Sequence, residues 1–96
     1  MYEIRETDEF RQWFETLKDL TAQLRIGARI RRVSLGNLGD VKSVGEGISE
    51  LRITYGPGYR VYFVRSGNTV IVLLAGGDKS TQRRDIERAK ELARGL

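Results

Sequence analysis

The chain has no cysteine and no histidine among its 96 residues. Without cysteine there is no disulfide, iron–sulfur cluster, thiolate zinc site or thiol nucleophile. Without histidine there is no Ser-His triad, no His-ligated metal and no imidazole acid–base catalysis. Long apolar runs are absent too. Val61–Val64 and Val70–Ala75 are the longest, far short of the ~20 residues that span a bilayer. Met1-Tyr2-Glu3-Ile4-Arg5 opens the chain, and no apolar stretch follows a basic start as in a secretory signal. A cytoplasmic protein without a membrane partner, resident metal or cofactor is the expectation. The length suits one domain, residues 1–96, which must hold itself with a modest core.

Charge is plentiful and uneven. The chain has 17 basic and 13 acidic groups. Residues 1–20 carry three basic against six acidic groups, residues 21–60 seven against three, and residues 61–96 seven against four. Thirteen of the basic groups are arginine, whose planar fork of donors suits phosphate. Two readings of this surface stand side by side: a solvated helix face, or a contact with nucleic acid or an acidic protein.

Tyr2–Arg5 alternates and predicts a short strand. Thr7 reads as a helix N-cap, with Asp8 and Glu9 in the first turn. Phe10, Trp13, Phe14 and Leu17 then make an apolar core stripe. Thr21 reads as a second cap, followed by the stripe Ala22, Ile26, Ile30 and Val33. Arg25, Arg29 and Arg32 share a different face of that helix. Gly36, Gly39, Gly45 and Gly47 predict a loop.

From Ile48 the period is two. Ser49, Leu51 and Ile53 face one way, and Glu50, Arg52 and Thr54 the other. Tyr55-Gly56-Pro57-Gly58 is a turn signal. Tyr59–Arg65 is a second strand, with Arg60, Tyr62 and Val64 on one face, and Thr69–Ala75 a central one. Three strands joined by short turns predict an antiparallel meander. Ser80 or Thr81 caps a last helix with Ile86, Ala89 and Ala93 inward. The expected order is β-α-α-β-β-β-α, an α+β domain with an antiparallel sheet flanked by helices.

Gly76-Gly77-Asp78-Lys79-Ser80-Thr81 invites a P-loop reading, which fails. Leu74 and Asp78 stand where that loop needs glycine, five residues before the lysine and directly before it. Lys79 still precedes a helix start, where anions are favoured; it contacts phosphate or pairs with Asp78. Arg52 and Arg60 sit on adjacent strands and can share one sheet face, with Glu50 beside Arg52. The group is either a Glu-Arg ladder or an oxyanion clamp on a phosphodiester with Glu50 as base. Tyr55 and Tyr59 beside arginines suit stacked bases of a single strand; Tyr62 fits a core position better.

The segment Glu50-Leu51-Arg52-Ile53-Thr54-Tyr55-Gly56-Pro57-Gly58-Tyr59-Arg60-Val61-Tyr62-Phe63 resembles the signature of the RelE/HigB-type addiction-module toxins of the RelE/ParE superfamily. Leu73-Leu74-Ala75-Gly76-Gly77-Asp78-Lys79-Ser80-Thr81-Gln82, with Asp85, Ile86 and Ala89, resembles the same subfamily, as does Thr7-x-x-Phe10-x-x-Trp13. The resemblance implies the RelE-like (microbial RNase-like) fold. It implies a type II toxin held by an adjacently encoded, typically helix-turn-helix antitoxin in a hetero-oligomer. The implied activity is metal-independent, ribosome-dependent cleavage of mRNA, in which the 2′-hydroxyl attacks the phosphate to leave a 2′,3′-cyclic phosphate and translation stops. Arg60 would stabilise the developing charge, with Arg52 and Lys79 adding positive charge and Glu50 available for proton transfer. Tyr55, Tyr59, Arg83 and Arg84 would bind RNA. Arg25, Arg29 and Arg32 would meet antitoxin or ribosome. The chain ends Leu92-Ala93-Arg94-Gly95-Leu96, without the terminal His or Tyr that several ribonuclease members use. Two other readings are a gyrase-poisoning ParE-like toxin and a non-catalytic basic protein-binding module.

Overall fold

The computed structural model describes all 96 residues. In chain order they form β1 (Glu3–Glu6), α1 (Asp8–Glu15), α2 (Leu20–Ser34), β2 (Val41–Gly45), β3 (Ile48–Ile53), β4 (Tyr59–Ser66), β5 (Val70–Asp78), a 3-10 turn (Lys79–Thr81) and α3 (Gln82–Arg94). The sheet order is β1-β5-β4-β3-β2. Strands β2 to β5 make an antiparallel meander, and β1 lies parallel to β5. The fold is α+β. The expected all-antiparallel sheet is corrected to a mixed one, because the α1–α2 segment carries the chain from one sheet edge to the other. No helix is long and apolar enough to cross a membrane.

Period-two alternation gives each central strand two apolar faces, and each face has its own core. Phe10, Ile26 and Val33 from α1 and α2 pack on Leu51, Ile53, Val61, Phe63, Ile71 and Leu73. On the opposite face Ala89 of α3 packs with Ile48, Tyr62, Val72, Leu74 and Ala75. Thr7 caps α1 as expected: its hydroxyl accepts from Phe10 N at 3.0 Å and donates to the Leu74 carbonyl at 2.7 Å. The cap of α2 is Asp19, which accepts from Ala22 N at 3.2 Å, and not Thr21.

Strand β2 replaces the expected glycine loop. Its half-buried residues, Val41 and Val44, pack on opposite cores, so their spacing of three hides the period. A register shift between Ser43 and Gly45 bends the strand further. Glu46, at φ 54°, forms the β2–β3 tip with Gly45 and Gly47. Arg94 at 3.0 Å and Lys90 at 3.7 Å pair with Glu46 and tie this tip to α3.

Strand β5 continues through Gly76 and Gly77 to Asp78 instead of ending before them. Adjacent strand residues face opposite ways. A Cβ on Gly76 would enter the Trp13 ring, and one on Gly77 the Asp85 carboxylate. The glycine pair lets α1 and α3 press on the sheet from both sides.

Candidate functional site

The α3 face of the sheet carries the charged cluster. Register pairs Arg52 with Arg60 and Glu50 with Tyr62 across β3 and β4, and Arg60 with Gly77 across β4 and β5. Glu50, wholly buried, is its anchor. Its Oε2 accepts from Gln82 Nε2 at 2.6 Å and from the Tyr62 hydroxyl at 3.2 Å. Burial and the Glu50 carboxylate push the Tyr62 phenol well above its ordinary value. The other carboxylate oxygen, Oε1, lies 3.8 Å from Arg60 Nε, and neither atom has a hydrogen-bond partner.

The Arg60 side chain is only 12 % exposed. Its Nη1 donates to the Gly58 and Tyr59 carbonyls at 3.3 Å each. These contacts leave Nη2 uncommitted and fix the plane of the guanidinium. Gly58 takes the left-handed φ of +81° that this turn needs, and Lys79 Cβ and Arg60 Nη1 lie in ordinary contact range of it, 3.5 Å and 3.6 Å from where a Cβ would sit. Arg60 and Lys79 therefore converge on the Tyr55–Gly58 turn, closed by Gly58 N donating to the Tyr55 carbonyl at 3.1 Å.

Lys79 is exposed and does not pair with Asp78. Asp78 instead accepts from Ser80 N at 2.8 Å and from the Ser80 hydroxyl at 2.5 Å. Those bonds hold its carboxyl below the usual range. Thr81 donates to buried Asp85 at 2.5 Å. Arg83 and Arg84 are exposed beside Lys79 and border a shallow hollow with Ser80, Thr81 and Glu87. One end of the sheet thus gathers Arg60 and Lys79 around Gly58, while Arg83 and Arg84 line the separate hollow on α3, Arg84 lying 3.7 Å from Asp85.

Several expectations need correction. Arg52 does not join the cluster: its Nη2 pairs with Asp40 Oδ1 at 3.1 Å. Two cations directly opposite repel, so each takes its own carboxylate. The predicted Glu50–Arg52 ladder is a Glu50–Arg60 couple. The position of Glu50 does not suit a base that touches a ligand: its carboxylate is wholly buried, 3.8 Å behind Arg60 Nε. Tyr55 and Tyr59 pack with the α1–α2 core, on the opposite face from the Arg60 side chain. The Tyr55 hydroxyl donates to Asp19 at 2.9 Å and Arg25 covers its ring at 4.8 Å. Tyr59 meets Trp13 edge-on at 6.3 Å. Both tyrosines brace the turn.

Arg25, Arg29 and Arg32 do line one groove. Arg29 is a brace within it, donating to the carbonyls of Arg52 at 2.6 Å, Leu38 at 3.0 Å and Asp40 at 3.3 Å. Sequence reading missed Gln82 and Asp85 as site residues. Their signals were membership in the Leu73–Gln82 and Asp85–Ala89 motif and position in the first turn of α3. No three acidic side chains come together to hold a metal ion.

The family model for the phage-derived protein Gp49-like (DUF891) matches residues 12–94. The chain belongs to the Gp49-like family. That family is distinct from the RelE/ParE toxins, so the resemblance to RelE/HigB is corrected. A protein of Haemophilus influenzae (strain KW20 / Rd), described as uncharacterized, is 51 % identical over 94 residues, covering 98 % of this chain and 95 % of its own.

Proposed function

We propose that this Gp49-like protein is a translation-arresting toxin that binds RNA at the Arg60 end of the sheet and cleaves it there. The observation that carries this reading is Arg60 itself. Its guanidinium is held in plane by two carbonyls, with the Glu50 carboxylate 3.8 Å behind its Nε, one donor edge free and Lys79 at the same turn. A preorganised cation beside further positive charge is built to stabilise charge that develops on a phosphate.

The chemistry follows from what the surface supplies. The RNA 2′-hydroxyl attacks the adjacent phosphorus, the P–O5′ bond breaks, and the hydroxyl proton leaves through solvent to the departing oxygen. The products are a 2′,3′-cyclic phosphate and a 5′-hydroxyl. Arg60 meets the phosphorane oxygens, and Lys79 and Arg83 hold the flanking phosphates. With Glu50 buried, the rate comes from charge stabilisation and strand positioning instead of a protein base. Message held on a ribosome is the expected substrate, since an ordered strand supplies that positioning. The test is cleavage of mRNA on purified programmed ribosomes by wild type and Arg60→Ala. Cut message with wild type and intact message with the variant are expected. Intact message with both, or equal cutting by both, refutes the reading.

A further inference from the structure

The outward face of α2 has no partner within the chain. Leu24, Ala28, Arg31 and Leu35 recur along it at intervals of four, three and four residues, and all four are exposed. That spacing is the seam of a helix–helix contact. Leu20 and Leu24 are each 67 % exposed and Leu35 59 %. Single surface leucines are ordinary. Three on one helix and its cap, spread over about 22 Å, form a stripe.

The charge beside that stripe has one sign. From Leu20 to Gly39 the chain holds four arginines and no carboxylate. Arg25 and Arg32 flank the seam and line a groove of about 250 Å³ that runs to Ile53 and Thr54 at the end of β3. Arg31 and Arg32 are exposed, and no carboxylate of the chain lies in reach of either.

We propose that this face docks an acidic amphipathic helix of another protein, its apolar ridge on Leu24, Ala28 and Leu35 and its carboxylates on Arg31 and Arg32. The leucines choose a protein, because phosphate gains nothing from exposed apolar side chains. The unbroken positive charge chooses an acidic partner and opposes α2 meeting its own copy. Helix-in-groove recognition uses this combination of periodic apolar anchors and flanking charge. The inference stands apart from the RNA chemistry, since α2 covers the opposite face of the sheet from the Arg60 side chain.

The test titrates the full chain with a lactam-locked, monomeric helical peptide bearing a leucine stripe flanked by glutamates. Its counterpart is flanked by lysines. Amide NMR shifts map the contact. The glutamate peptide is expected to shift the amides of α2, to bind more weakly as salt rises, and to outbind the lysine peptide. Leu24→Ser/Leu35→Ser and Arg31→Glu/Arg32→Glu are each expected to weaken binding about tenfold or more. These exposed positions leave the thermal midpoint in place, which checks folding. Equal binding of both peptides, shifts away from α2, or undiminished binding by the leucine variants overturns the proposal. So does a single-stranded RNA oligonucleotide that shifts α2 in the same way. Self-association in sedimentation that Leu24→Ser abolishes would make a second copy the occupant and overturn it as well.

Discussion

Replacing Glu50 by leucine removes the anchor of the charged cluster. The carboxylate is wholly buried, accepts from Gln82 and Tyr62, and faces an Arg60 side chain only 12 % exposed. A hydrogen bond to a charged group contributes about 1.5–3 kcal/mol. Deleting one member of a buried ion pair costs about 3–5 kcal/mol, because the other is left uncompensated. These terms describe one network and do not add, so Glu50→Leu is expected to cost about 3–5 kcal/mol. That is a large share of the roughly 5–14 kcal/mol expected of a domain this size. Arg60→Met is destabilising for the mirror reason. The double variant Glu50→Leu/Arg60→Met buries no charge and is expected to recover most of the loss, with a coupling energy of about 2 kcal/mol or more. Urea unfolding of wild type, both singles and the double, with slopes compared, measures it. Single losses that sum to the double within about 0.5 kcal/mol, or a Glu50→Leu cost below about 1 kcal/mol, would refute the claim that Glu50 holds Arg60.

The raised Tyr62 phenol makes stability fall on the alkaline side. Its contribution is complete below the ordinary tyrosine value near 10.0 and is lost as pH rises above it toward the folded value. Urea midpoints measured from pH 8 to about pH 11 are expected to decline, less so in Tyr62→Phe; equal slopes would contradict this origin. Gly76→Ala drives a methyl into the Trp13 ring and is expected to cost about 1–3 kcal/mol. Calorimetry should show a midpoint lower by about 5–20 °C, and an unchanged midpoint would mean that Trp13 can move aside.

The helices and four of the five strands were legible because their patterns are strong. Thr7, the Phe10–Leu17 stripe and the alternation after Ile48 each carry their own period. Strand β2 was not, because an edge strand needs few buried residues, and Val41 and Val44 serve different cores. β1 reads as a strand but not as a parallel one, since its partner is 67 residues away in the Glu3–Val70 register. Alternation correctly set Glu50, Arg52 and Arg60 on one face. It could not say which carboxylate each arginine takes, because Asp40 and Gln82 arrive from distant elements. The tyrosines misled for a related reason: sequence adjacency to Arg60 puts Tyr59 on the other face of the strand.

The most direct test asks whether RNA supplies its own nucleophile at the Arg60 site. Two messages are compared on programmed ribosomes, one all-ribose and one with a single 2′-deoxy sugar at the mapped cut site. Wild type is expected to cut the first to a 2′,3′-cyclic phosphate end and to leave the second whole, while Arg60→Ala cuts neither. Cleavage of the 2′-deoxy message at the same site, or cleavage by Arg60→Ala, would contradict it.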